Sequence, residues 1–144
     1  LAPLFPKRTP FFMPNPISPD RLWRHPDILK ERTSHRYLEM GLDGSGLAYR
    51  LGTAVNLVRA LEEVRSNVIP GLTVPFCTVH GTADDGVPMA GSVYLVENCG
   101  TPREQREFHR IQDACHDLFA DPLAEQVMGH WTNFVQKRLT SYNK

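Results

Sequence analysis

Two residues of this 144-residue chain have the types and placement for acid–base work: Asp84, in the loop HGTADDG (80–86), and His116, in the polar stretch Gln112 to Asp121. A carboxylate that accepts a hydrogen bond from one imidazole nitrogen fixes the ring tautomer. It also stabilises the imidazolium formed when the other nitrogen takes a proton. The two lie 116 − 84 = 32 positions apart, so only the fold can bring them together. Taken alone, an Asp in such a turn is commonly a turn former that bonds nearby amides, and a His followed by an acid is commonly a surface residue. Asp85 adjoins Asp84, and the spacing to the helix expected from Pro88 favours Asp84 as the functional acid.

Each of the two loops follows a segment that reads as a strand. Val74 to Val79, VPFCTV, is a short apolar run bounded by turn residues, as expected for a strand buried on both faces of a parallel sheet. Arg106 to Ile111 alternates loosely and reads as a second strand. Pro88 to about Asn98 reads as a helix. Pro122 to about Leu139 reads as an amphipathic one, with Leu123, Val127, Met128, Trp131, Phe134, Val135 and Leu139 on one face. The order strand, loop, helix, strand, loop, helix predicts a parallel sheet flanked by helices. In such sheets chemistry sits at the carboxyl ends of the strands, and both polar loops should emerge there.

Upstream the pattern differs. Prolines at 3, 6, 10, 14, 16 and 19 make the first residues irregular and break any apolar run. The segment lacks the order of charged start, apolar stretch and cleavage site that a signal peptide needs. Ser18-Pro19-Asp20 reads as the start of a short helix interrupted by Pro26, with a second from Pro26 to about Thr33. GLDGSG (41–46) is a turn cluster. From about Gly52 to Ser66, Ala54, Leu57, Val58, Leu61 and Val64 form an apolar stripe at helical spacing, and Pro70-Gly71 closes this part.

Composition narrows the function classes. Lys+Arg and Asp+Glu both number 16, so there is no electrostatic case for nucleic acid or an anionic membrane surface. No apolar run approaches the roughly 20 residues that span a bilayer. Cys77, Cys99 and Cys115 are odd in number and form no CxxC. They suit neither a disulfide framework nor a zinc site and favour a reducing, intracellular setting. His25, His35, His109 and His130 show no metal-ligand spacing and are expected at the surface or in packing. No metal or organic cofactor is expected. Trp23 and Trp131 are expected to pack.

Residues 74–97, VPFCTVHGTADDGVPMAGSVYLVE, resemble the segment around the catalytic acid of monoacylglycerol lipases and their plant relatives. ACHDLFADPLAEQV resembles the loop that bears their catalytic histidine. HRYLEMG, RLGTAVNLVRALEEV and ISPDRLWRHPDI are similar to their helical cap. The resemblance implies the C-terminal part of an α/β-hydrolase fold, residues 71–144, preceded by a partial cap or lid, residues 1–70. It implies Asp84 as the triad acid and His116 as the triad base of a serine ester hydrolase acting on acyl esters or lysophospholipids. It also offers Leu4, Phe5, Phe11, Phe12 and Met13 as an apolar acyl channel, with ordinary packing as the alternative.

The chain departs from that family by an absence. The family's nucleophile stands in G-x-S-x-G on a strand-to-helix turn, and nothing here fits. Ser45, in Gly44-Ser45-Gly46, follows no strand, and Ser92 lies inside an expected helix. The nucleophile is therefore expected outside this chain, on an N-terminal half of the hydrolase carried by the same or a separate chain, and this chain alone is expected to be inert. The competing expectation is a non-catalytic hydrolase remnant that serves as a structural subunit of a larger assembly.

Overall fold

A computed structural model of the chain describes residues 4, 5, 7, 19–34 and 50–142. It contains mixed helices and one two-stranded parallel sheet. A 3-10 turn, Pro19–Arg21, leads into α1, Pro26–Arg32. Helix α2, Leu51–Glu63, continues through a π turn, Val64–Val68, and a last turn, Ile69–Gly71. Pro70 has no N–H and crowds the carbonyl four residues back, and the helix widens over the turn before it. Strand β1 spans Phe76–Gly81, α3 Met89–Asn98, β2 Arg106–Ile111 and α4 Ala124–Tyr142. The turn cluster at 41–46, with Ser45, and Phe11, Phe12, Met13 and His35 lie outside the described residues.

The strands run parallel with Phe76 opposite Arg106 and Gly81 opposite Ile111. Side chains alternate across a strand, so Cys77 and Val79 share a face with Glu107, His109 and Ile111. Helix α4 covers that face. Val79, Ile111, Ala114 and Val127 form the buried cluster, and Leu118, Leu123 and Trp131 pack on it. The opposite face belongs to α3, where Ser92 meets His80. The order β1–α3–β2–α4 thus lays one helix on each side of the sheet, the layering expected of βα units.

Two expectations need correction, one about the first strand and one about the last helix. The first strand starts and ends two residues later, because His80 and Gly81 continue the ladder and are buried rather than in the loop. Its burial is graded along the strand: Phe76 to Thr78 are half-exposed and only Val79 to Gly81 are buried. On the apolar stripe of α2, Leu57, Val58, Leu61 and Val64 are 41–59% exposed, and Leu61 and Val64 share an open cavity wall with Ala90, Gly91 and Tyr94 of α3. On α4, Val127 and Phe134 are buried, yet Met128, Val135 and Leu139 from the same expected face are exposed. No described helix is long and apolar enough to cross a membrane.

Under α4, the rings of His109 and His130 stack with centroids 3.9 Å apart, and His109 Nε2 lies 3.0 Å from Glu107 Oε2. Burial, then the neighbouring His109, holds His130 below its ordinary value of 6.5. The His109 hydrogen bond, reinforced by Lys137, holds Glu107 below 4.5. Both folded values are depressed, so both contributions are full above the unfolded values and are lost on acidification. Resistance to urea should therefore fall as pH drops below about 6.5, and further below about 4.5. His130→Phe, which keeps a ring on His109, should flatten the upper part of that decline in a series of unfolding midpoints against pH. An unchanged slope in the variant would refute the assignment.

Candidate functional site

At the carboxyl ends of the two strands the chain turns back on itself twice, and the turns are laced together. Thr82 N donates to Ile111 O at 2.9 Å and Ala83 N to Ala114 O at 3.0 Å. Asp113 takes a left-handed conformation, φ 62°, which an Asp tolerates better than most residues. Its N–H donates to Thr82 Oγ1 at 2.8 Å. That reversal carries the backbone of Ala114 and Cys115 across Gly81. A Cβ on Gly81 would overlap Ala114 O and come within 2.8 Å of Cys115 O. Glycine is required here by close approach of backbone to backbone.

This crossing delivers His116 to Asp84. His116 Nδ1 lies 3.1 Å from Asp84 Oδ2 and 3.2 Å from Oδ1. Asp84 Oδ1 also accepts from the Gly86 and Val87 amides, both at 2.8 Å, and Oδ2 lies 3.3 Å from His80 Nε2. The carboxylate is nearly buried, 7% exposed, whereas the His116 ring is 41% exposed. Gly86 sits beneath the imidazole, and a Cβ there would come within 3.0 Å of His116 Cγ. An ionised carboxylate only accepts, so Nδ1 carries the proton and Nε2 is left as an acceptor. Nε2 has no partner among the described residues. This is the tautomer that a general base needs.

Asp84, not Asp85, is the acid that meets the histidine. Asp85 faces outward and accepts from Arg21 Nε at 2.9 Å. His80 buttresses the carboxylate. Its Nε2 also faces Val87 O at 3.1 Å, and a carbonyl can only accept, so Nε2 is the protonated nitrogen. In the neutral ring Nδ1 then accepts from Ser92 Oγ, 2.8 Å away. Ser92 is thereby committed to His80 rather than free beside His116. Cys115 adjoins His116 in sequence, but burial, and then Asp121, push its thiol up. A thiol held protonated is a poor nucleophile.

The segment before α1 clips the histidine loop in place. Trp23 Nε1 donates to Asp117 Oδ2 at 3.0 Å. Arg24 donates to the Asp113 carbonyl, and its other terminal nitrogen meets Asp121 Oδ1 at 2.9 Å. Asp121 is fully buried at its side chain and also accepts from Cys115 N at 3.0 Å and Leu123 N at 2.9 Å. It closes the loop and caps the start of α4 at once.

Sequence reasoning missed these supporting residues. Asp121-Pro122 before an apolar run is a helix-start pattern, and it was the available signal for Asp121. Nothing in the sequence marks Arg24, Trp23 or Ser92. At the opposite end of the strands, pairing brings Cys77, Glu107 and His109 to within 4.8 Å of one another, which linear spacing does not reveal. Glu107 there already holds His109 and, at 3.1 Å, Lys137, whose ammonium competes with any cation.

No family model matches the chain, and no curated protein matches it.

The clip has a measurable consequence. Asp121→Ala strands the buried Cys115 amide and should cost about 1–3 kcal/mol, with faster amide exchange across 113–121. Asp85→Ala removes only an exposed pair and should cost about 0–1 kcal/mol. Equal losses in urea unfolding of the two variants would contradict this ranking.

Proposed function

We propose that this chain is the acid-and-histidine portion of a serine ester hydrolase of the monoacylglycerol lipase-like α/β-hydrolase kind, with Asp84 as the triad acid, His116 as the base and the nucleophile supplied from outside the chain. The observation that carries the reading is the pairing of a buried Asp84 carboxylate with His116 Nδ1 at 3.1 Å, in two loops at the carboxyl ends of adjacent parallel strands, with Nε2 unpartnered among the described residues. That is where α/β sheets assemble reactive groups. The order acid then histidine, each after its own strand, is that of the last two triad members in α/β-hydrolases.

In the proposed reaction a serine from the N-terminal half of the hydrolase attacks the ester carbonyl as its proton passes to His116 Nε2. Collapse of the tetrahedral intermediate breaks the bond to the alcohol oxygen, and the same proton returns to that oxygen. Water then repeats the sequence on the acyl-serine, giving the acid and the free serine. Asp84 holds the ring and stabilises the imidazolium throughout. Hydrogen-bond donors to the oxyanion come with the nucleophile turn and its partner loop, both in the missing half.

Two features support dependence on that half. Strand β1 has no described neighbour on its other edge, and a two-stranded sheet is marginal alone. The α2 stripe leaves several large apolar side chains exposed. These same features also favour the second reading, a structural subunit held in an assembly.

A fluorophosphonate probe applied to the native assembly separates the two. Labelling of a serine on the partner segment, reduced by a factor of 10² or more in His116→Ala, supports the hydrolase. Tight assembly without labelling refutes it.

A further inference from the structure

At the start of the two strands, parallel pairing sets Cys77 opposite Glu107, and His109 follows two residues further along β2 on the same face. One ligand atom from each of the three lies within 4.8 Å of the others. His109 Nε2 is 3.0 Å from Glu107 Oε2, and the His130 ring stacks on His109 with centroids 3.9 Å apart, which steadies the imidazole. The Glu107 and His109 side chains are 22% and 27% exposed, so the cluster is shielded yet reachable from solvent. Lys137 Nζ meets the same carboxylate at 3.1 Å, but on Oε1 rather than Oε2, and its side chain is 65% exposed. So exposed an ammonium is held weakly and can swing away on its flexible stem.

We propose that Cys77, Glu107 and His109 bind one zinc ion, with water in the fourth position, and that the ion ties β1 to β2. The site lies away from Asp84 and His116 and does not depend on the hydrolase reading. A thiolate and an imidazole beside one carboxylate select zinc over magnesium or calcium, which take oxygen ligands. Three protein ligands and a water complete its tetrahedron. Bonds of about 2.0–2.3 Å at tetrahedral angles place neighbouring ligand atoms roughly 3.4–3.6 Å apart. From within 4.8 Å the three ligand atoms need to close by little more than about 1 Å, which side-chain rotation supplies on the paired backbone. Burial, and then Glu107, push the Cys77 thiol up, so the metal must displace its proton to solvent. His109 coordinates as the neutral imidazole, and Glu107 exchanges its hydrogen bond for the ion. Lys137 competes for that carboxylate and withdraws when zinc arrives. A two-stranded sheet is marginal alone, and an ion held by both strands stabilises the folded chain by mass action.

The test titrates the full chain with cobalt(II), a coloured substitute for zinc, and follows the thiolate-to-metal charge-transfer band in the near ultraviolet. The band should saturate at one equivalent, be abolished by zinc and be unmoved by magnesium. Cys77→Ser should remove it, and Cys99→Ser should keep it. Zinc should raise the urea midpoint of the parent chain and leave that of Cys77→Ser where it was. Lys137→Met keeps the stem, removes the competing ammonium and should tighten cobalt binding about threefold or more. That variant changes an exposed side chain, so the test does not hinge on a substitution that might unfold the strand pair. Absence of the band, a band that survives Cys77→Ser, or an affinity indifferent to Lys137→Met would each overturn the site.

Discussion

The backbone of Ala114 and Cys115 passes over Gly81 with no room for a methyl group between them, and the arrangement at this end of the sheet depends on that crossing. It sets the height at which the histidine loop leaves β2 and ties it to the acid loop through the Ala83–Ala114 hydrogen bond. His116, two residues beyond Ala114, then falls against the carboxylate of Asp84. The nearly buried carboxylate is in turn bearable because four donors surround it: two amides, His80 and His116. Each loop is incomplete without the other.

Support for this corner is distributed over elements remote in sequence. Arg24 reaches Asp121 across 97 positions and Trp23 reaches Asp117 across 94. The residues before α1 thus act as a strap over a loop that belongs to the sheet layer. The rest of the described structure is less self-sufficient. The buried apolar cluster is small, centred on Ile111 and Val127, both fully buried. One edge of β1 has no described strand beside it, and much of the α2 stripe is exposed.

Much of this was legible in the sequence because it is written in short-range pattern. The two strands, the helix between them and the long helix after them follow from apolar periodicity and turn residues, and β2 falls on Arg106–Ile111 as expected. Their boundaries were less legible. His80-Gly81 looks like loop by composition, yet the ladder extends through it because β2 offers Arg110 and Ile111 as partners. The pairing of Asp84 with His116 followed from topology, and the spacing to the next helix favoured Asp84 over Asp85, whose carboxylate meets Arg21 instead. What pattern could not reveal is the network whose members meet only in three dimensions: Ser92 on His80, Arg24 on Asp121, and the stacked His109 and His130.

The central claim is that Asp84 and His116 act as one acid–base unit, and the hydrogen on His116 Nδ1 tests it most directly. Nitrogen-resolved proton spectra of the full chain should show a downfield ring N–H signal from His116 Nδ1. That signal should be lost in Asp84→Ala and kept in Asp85→Ala. A His116 ring protonated on Nε2 instead, or a signal that survives Asp84→Ala, would contradict the account.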